Sequence, residues 1–541
     1  MNLQTIARHF RFRSAANFLA ISAQIVAVLL GTASPADADL FTRGNVVLDA
    51  SADQVKVGGR LASGDFNHDG FADLVFGAPQ SAVGGHVDAG EIQVRYGADG
   101  GPGPRVRFYQ GLAGLPGGPE TGDYFGYSLA VGDFNDDGFD DLAIGVLNED
   151  ISAGSTPAVD AGVVEVLYGS AAGLTTTGVQ LWSQESSGIS GVAEDDDHFG
   201  SALAAGDFDG DGFTDLAIGA SGEDIGTVQD AGGIWILPGS AAGITATGSY
   251  SFDEAGAGGT VAAQRYLGGV LAVGDLDADG RDELAAGVPG ETVSGHASAG
   301  VVWLFSGSPS GLSFPGVRLH QGLVLASGTI FGVAEDNDYF GSAIVFGDFN
   351  RTDAQSPRYE DLAIGVGHEG GIQGAVEVLN GSASGISAAG SFLFMETDLP
   401  GGGDDPIFFG NALAAGHLHS GFRADLVIAS VNDSVAGQSG AGRIFVVPGT
   451  ASGLDLAAAV AFDASTPGLA CGPPAAFTLL GDALAIGNFD GRGVGDLAIG
   501  VPNLDPLGDD SNLGGVQLLY TAQFASDFET HNLSQWSSHV P

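Results

Sequence analysis

The sequence predicts an all-β protein, a seven-bladed β-propeller of four-stranded antiparallel blades, closed by an N-terminal strand in the last blade. Three observations lead there. A glycine–aspartate phrase, first written GDFNHDGFADLVFG, recurs seven times, with its leading position at Asp65, Asp133, Asp207, Asp275, Asp348, His417 and Asn488. The intervals are 68, 74, 68, 73, 69 and 71 residues, the mark of one supersecondary unit repeated rather than one irregular fold. Within each unit the apolar runs are too short for helices and are bounded by glycine. Four-stranded sheets repeated seven times suit a radial ring, which leaves only short edges.

The elements follow in a fixed order. A Phe-Gly or Leu-Gly pair opens six units, at Phe125-Gly126, Phe199-Gly200, Leu267-Gly268, Phe340-Gly341, Phe409-Gly410 and Leu480-Gly481. The first unit keeps Gly58 at the same spacing, behind Val57. Runs such as SLAVGDF and ALAAGDF then give a first strand. A second follows the phrase, as in DLVFGAP and DLAIGVL, and a third alternates, as in GEIQVRYG and GVVEVLYG. Five third strands lead into a Gly-Ser/Thr-x-x-Gly-Leu/Ile turn, as in GSAAGL at 169–174. A variable outer strand comes last, for example VQLWSQE at 179–185 or VRLHQG at 317–322. The final unit stops near Tyr520 after its third strand, so the unpaired segment GNVVLDA at 44–50 is expected to complete blade seven and close the ring.

Residues 1–38 read as an export signal: Arg8, Arg11 and Arg13 precede the apolar stretch 15–31, and Ala36-Asp37-Ala38 supplies a small-x-small cleavage pattern. The propeller is expected over 39–524, with a short C-terminal tail over 525–541. No membrane span is expected in the mature chain. Cys471 is the one cysteine, so an intramolecular disulfide is excluded, and an exported fold needs another staple, for which calcium is suited. The formal net charge of -49 gives a surface that repels nucleic acid and anionic membranes. It also reads as the solvated surface of a soluble, monomeric protein.

The phrase has the donor pattern of a hard-cation cage. Alternate positions of a tight loop bring oxygens from one, three and five to one centre, a carbonyl at seven joins them, and a carboxylate at nine closes the set, with glycine at six allowing the turn. Four copies are complete. They are Asp65, Asn67, Asp69 and Asp73; Asp133, Asn135, Asp137 and Asp141; Asp207, Asp209, Asp211 and Asp215; and Asp275, Asp277, Asp279 and Glu283. So many carboxylates together repel one another without a cation, and about four Ca2+ ions are expected. The fifth copy carries a five-residue insertion between Asp348 and Asp361, which leaves its metal binding open. The sixth has His417, His419 and Gly421 where acids belong, keeping Asp425. The seventh keeps Asn488, Asp490 and Asp496 but places Arg492 at position five, where its charge would replace the metal.

Phe-Gly, the cage and Gly77-Ala78-Pro79 together resemble the FG-GAP repeat family over roughly residues 44–522. That repeat builds the integrin α-subunit propeller and occurs in bacterial secreted proteins and in a phospholipase D specific for glycosylphosphatidylinositol anchors. The resemblance implies calcium in the loops joining first and second strands, and adhesion or ligand binding on the opposite face. Absence of an inserted adhesion domain, leg domains and a membrane span makes integrin-type pairing and signalling unexpected.

The leading expectation is therefore a secreted or cell-surface, calcium-binding, non-catalytic module of integrin α-like adhesion type, taking an extracellular protein or glycan ligand. A hydrolase-associated propeller of the phospholipase D type, or a structural surface or matrix component, are the alternatives. No Ser nucleophile motif and no repeated His/Asp/Glu cluster points to an enzyme. The loops GVAEDDDHFG (191–200) and GVAEDNDYFG (332–341) offer Asp196, Asp197, Asp336 and Asp338 as acidic contacts.

Overall fold

The computed structural model describes residues 41–48, 57–99, 101–152, 157–351, 357–371, 373–403, 408–419, 421–466, 469, 474–504 and 514–521. The expected export signal, Cys471 and the tail from 525 lie outside them. Seven four-stranded antiparallel sheets form the blades. Blade one comprises Arg60–Gly64, Asp73–Ala78, Glu91–Arg95 and Arg105–Phe108. Blade two comprises Phe125–Gly132, Asp141–Val146, Val163–Tyr168 and Thr175–Trp182. Blade three comprises Phe199–Gly206, Asp215–Ala220, Gly233–Leu237 and Tyr250–Phe252. Blade four comprises Val270–Gly274, Glu283–Val288, Val301–Phe305 and Val317–Leu319. Blade five comprises Phe340–Gly347, Asp361–Val366, Ala375–Asn380 and Ser387–Phe394. Blade six comprises Phe409–Gly416, Asp425–Ser430, Arg443–Val447 and Val460–Asp463.

Blade seven holds Leu484–Gly487, Asp496–Gly500 and Val516–Thr521, with Phe41–Leu48 antiparallel beside the last of these and Val46 opposite Leu518. That segment starts three residues before the expected Gly44, and residues 49 and 50 lie outside the described set. Its closing role is a testable expectation. Deleting residues 39–48 should lower the melting temperature of the whole ring, and an unchanged value refutes that role. A longer deletion of 39–57 also removes Val57, which is fully buried and bridges to Gly514.

Every second strand is fully buried along its length, whereas fourth strands such as Thr175–Trp182 are half-exposed. The reason is radial stacking: inner strands are covered on both faces by neighbouring blades, so they read as continuous apolar runs. The core is accordingly a ring of layers between blades. Val75, Ile92 and Phe108 of blade one pack with Phe125, Ile144 and Val163 of blade two. Leu74 and Phe76 pack with Phe489, Ala498 and Leu518 of blade seven.

Two backbone features repeat around the circle. The second-strand glycine abuts the glycine of the next blade's opening pair: a Cβ at Gly77 would lie 2.2 Å from the carbonyl oxygen of Gly126, and one at Gly500 would lie 1.8 Å from that of Gly58. Six blades have glycine there, and blade six carries the smallest side chain, Ala429. The opening-pair glycines also hold φ between +85° and +96°, which L-residues rarely adopt. A ring of hydrogen bonds then joins each phrase to the previous one, from Asp140 N–H to Asp65 O (3.3 Å) around to Ala72 N–H and Asn488 O (2.9 Å).

Among the described residues three short helical turns, Glu254–Ala257, Glu396–Asp398 and Leu456–Ala458, depart from the all-strand expectation. Asp253 caps the first by accepting from the Gly256 N–H at 2.8 Å.

Candidate metal centres

All seven phrases sit in the hairpin between first and second strands, on one face of the ring. The residue at position two anchors each loop: Phe66, Phe134, Phe208, Leu276, Phe349, Leu418 and Phe489 are at most 1% exposed. Position one then folds the loop over itself. Asp65 Oδ1 and Oδ2 accept from the Asp69 and Gly70 N–H groups at 3.0 and 2.9 Å, and Asp133 repeats this with Asp137 and Gly138 at 3.1 and 2.8 Å. Asp207 accepts from Gly210 and Gly212 at 2.7 and 3.0 Å, and Asp275 from Gly280 at 3.2 Å.

The side chains converge unequally. In the third loop one oxygen each of Asp207, Asp209 and Asp215 lie within 4.8 Å of one another, and in the fourth so do those of Asp275, Asp277 and Glu283. Among the described residues these are the two groups of three acids that approach so closely. In the first and second loops Asn67 and Asn135 hold position three, each donating its amide to the position-five acid, Asp69 (2.9 Å) or Asp137 (3.1 Å). Position five is exposed in all four loops. Its Asp69, Asp137, Asp211 and Asp279 accept from the N–H two residues on, and Asp279 is also ion-paired with Arg281.

The residues present fit a hard cation. The donor sets are all oxygen, the chemistry calcium takes. In the fourth loop Asp275 Oδ1 and Asp277 Oδ1 are buried without a hydrogen-bond partner, an arrangement that normally has an explanation in an ion or water. Burial, with neighbouring acids adding to it, pushes Asp73, Asp141 and Asp215 up to about 7 and Glu283 up to about 8. A bound divalent cation would supply the opposite charge that holds these groups ionised.

In the other three loops, other parts of the chain contact the acids among the described residues. In the fifth, Asn350 donates its amide to Asp361 at 2.9 Å, and Arg351 lies 3.9 Å from Asp348. In the sixth, His417 Nδ1 meets the Arg423 carbonyl, the position-seven oxygen, at 2.6 Å, and His419 Nδ1 meets Asp425 at 2.9 Å. Asp425 raises the His419 pKa through hydrogen bond and charge, against the burial that is the largest influence and lowers it. In the seventh, Arg492 pairs with Asp490 at 2.9 Å.

Position nine has a second role that sequence reasoning missed. Asp73 accepts from the N–H groups of Phe66 (3.0 Å) and Gly97 (2.8 Å), tying the loop to the end of the third strand. Asp141, Asp215, Asp361, Asp425 and Asp496 repeat both bonds on the equivalent residues. Retention of this acid in the three altered loops was the available signal. There it serves as a backbone brace.

The acidic contacts expected at 191–200 and 332–341 need correcting. Asp197 and Asp338 are 1% and 2% exposed and accept from the Glu194 and Glu335 N–H groups at 2.6 and 2.5 Å. Turn geometry draws them inward, and only Asp196 and Asp336 face solvent.

Fold and loops together define a seven-bladed β-propeller with an acidic hairpin loop in its leading blades. The family model described as FG-GAP repeat matches residues 57–94, 125–166, 199–237 and 267–305, which fall in the first three strands of blades one to four. Four FG-GAP repeats are therefore present, in blades one to four, and the propeller is similar to that of integrin alpha chains. Integrin alpha-5 of Xenopus laevis is 28% identical over 251 residues, 45% of this chain and 20% of that protein. Phosphatidylinositol-glycan-specific phospholipase D of Rattus norvegicus is 37% identical over 169 residues, 31% of this chain and 19% of that protein. The chain thus spans about a fifth of the length of the curated relatives it matches. Among solved structures, Bacillus licheniformis rhamnogalacturonan lyase PL11 aligns over 88% of this chain and 75% of its own, at 14% identity and a TM-score of 0.39.

Proposed function

We propose that the protein is a secreted, calcium-stabilised, non-catalytic binding propeller of adhesion type, with its ligand on the face opposite the cages. The observation that carries this reading is the division of labour between the faces. The cages occupy one face. On the other, the residue before each opening pair is held at positive φ: Tyr124 (57°), His198 (56°), Tyr266 (56°), Tyr339 (55°), Phe408 (61°) and Leu479 (56°). Bulky side chains in that conformation carry strain of about 1–3 kcal/mol each, and such strain clusters at ligand-contacting sites. Similarity to integrin alpha chains supports the extracellular setting. Among the described residues no helix is long and apolar enough to cross a membrane.

On the same face a cavity of about 280 Å³ opens between blades seven, one and two. Arg60, Gln80, Tyr124, Tyr127, Asp482 and Asn503 contribute to its lining, and the Arg60 guanidinium lies 4.7 Å from the Tyr127 ring centre. Aromatic faces beside hydrogen-bonding groups suit a sugar or a peptide side chain. An array of glycans and extracellular proteins, probed with and without calcium, tests the reading. Binding weakened by Tyr127→Ala is expected, and binding to neither class would overturn it.

A further inference from the structure

We propose that three blade junctions, those between blades one and two, two and three, and four and five, each bind one hard divalent cation through glutamine, glutamate and aspartate oxygens. These junctions are separate from the hairpin cages, and the proposal does not depend on the cages being loaded.

Each junction is built alike. A glutamine just past the fourth strand of one blade reaches a glutamate just past the second strand of the next: Gln110 donates to Glu149 at 2.7 Å, Gln184 to Glu223 at 2.6 Å and Gln321 to Glu369 at 2.5 Å. Beside each pair stands the aspartate two residues before the next opening pair, Asp123, Asp197 or Asp338, 1–3% exposed, its carbonyl accepting from the N–H of the residue before the glutamate at 3.0–3.1 Å. The glutamines are 2–3% exposed, and with Nε2 engaged their Oε1 atoms are buried without a partner, as is Asp197 Oδ1. Carboxylate, carboxylate and amide oxygen form an all-oxygen donor set for a hard cation.

The other described junctions supply the second argument, because there the chain brings its own charge or removes the acids. Between blades three and four, Glu254 takes the glutamine's place and Arg265 the aspartate's, while Arg318 pairs with Glu291. Between blades five and six, Arg443 bridges Glu396 (3.2 Å) and Asp433 (3.0 Å). Between blades six and seven, the equivalent residues are Ala464, Leu504 and Thr478, and Ala464 and Leu504 join an apolar layer. At the three Gln–Glu–Asp junctions no arginine, lysine or histidine among the described residues is ion-paired with the acids. His86 acts on Asp123, and His296 and His368 on Asp338, without forming an ion pair. Buried like charges of this kind call for an opposite charge. Without one, burial pushes Asp197 up to about 7 and Glu223 up to about 8.

A built-in reporter makes the second junction testable. Trp235 borders it: a Cβ at Gly233 would lie 2.9 Å from the indole and 3.7 Å from Glu223 Cγ, and one at Gly191 would lie 3.4 Å from the indole and 3.3 Å from Gln184 Nε2. Trp303 borders the arginine-filled junction in the same way, beside Glu254. Terbium chloride added to the full chain should give tryptophan-sensitised emission that Trp235→Phe largely removes and Trp303→Phe leaves. The double variant Asp197→Asn, Glu223→Gln should lose the same emission, and equilibrium dialysis should count one calcium fewer. A cage variant, Asp207→Asn with Asp209→Asn, should keep that emission. Emission and calcium count unchanged in the junction variant, with circular dichroism showing it folded, would overturn the proposal and leave a shared proton as the neutralising charge. If the junction variant unfolds, emission that survives Trp235→Phe is the overturning result.

Discussion

Asp496→Ala should lower the unfolding free energy by about 2–6 kcal/mol, equally in calcium and in chelator, because two buried N–H groups lose their acceptor at about 1–3 kcal/mol each. Those donors are Phe489 N–H at 3.1 Å and Thr521 N–H at 2.9 Å. The first belongs to the hairpin and the second to the end of the third strand, so the loss detaches the loop from its own blade. Blade seven is the right place for the measurement, since Arg492 already pairs with Asp490 there. Urea denaturation of wild type and variant, each with calcium and with chelator, reads the effect. A loss that disappears in chelator would show that the acid acts through a metal. By contrast, Asp209→Asn should destabilise only in calcium.

Chelation at neutral pH should be the most damaging change of condition, and its effect should shrink as pH falls. At a free calcium concentration about 100 times Kd, each loaded cage contributes about 2.7 kcal/mol. The pH dependence follows from the closing acids. Asp73, Asp141 and Asp215 stand near 7 in the fold against an ordinary value of 3.8, mainly through burial. An acid whose folded pKa is raised contributes its stability fully below the unfolded value and loses it as pH rises through the folded value. The metal-free ring should therefore weaken between about pH 4 and pH 7, the window in which the acids become free to ionise around calcium. Melting temperatures with and without calcium should diverge across that window. A gap that stays constant or widens toward acid, or titration calorimetry that detects no calcium uptake, would refute this account.

Much of the ring was legible because its rules are local and repeated. Runs such as DLAIGVL could only be buried strands, and the glycines at fixed offsets marked turns and close blade contacts. The cage acids were equally legible in the four complete phrases, where alternate residues of one short loop supply all the donors. Their unequal convergence was not legible. Asn67 and Asn135 turn their amides to neighbouring acids, and Arg281 draws Asp279 aside, outcomes set by hydrogen bonds a spacing rule does not contain. The glutamine–glutamate junctions were missed for a different reason. Their partners lie 39 or 48 residues apart, and only their recurrence at matching places after successive strands would have flagged them.

By itself the sequence determined the repeat, the strand order within each blade and the loops that concentrate acid on one face, since all of these follow from periodicity and from residues near one another in the chain. Tertiary structure decided which charges are neutralised and by what. His419 meets Asp425, Arg443 spans two blades, and Asp197 and Asp338 turn inward. The physical reason is that desolvation and charge pairing depend on what packs across a blade boundary, and that boundary brings together residues which the one-dimensional pattern keeps apart.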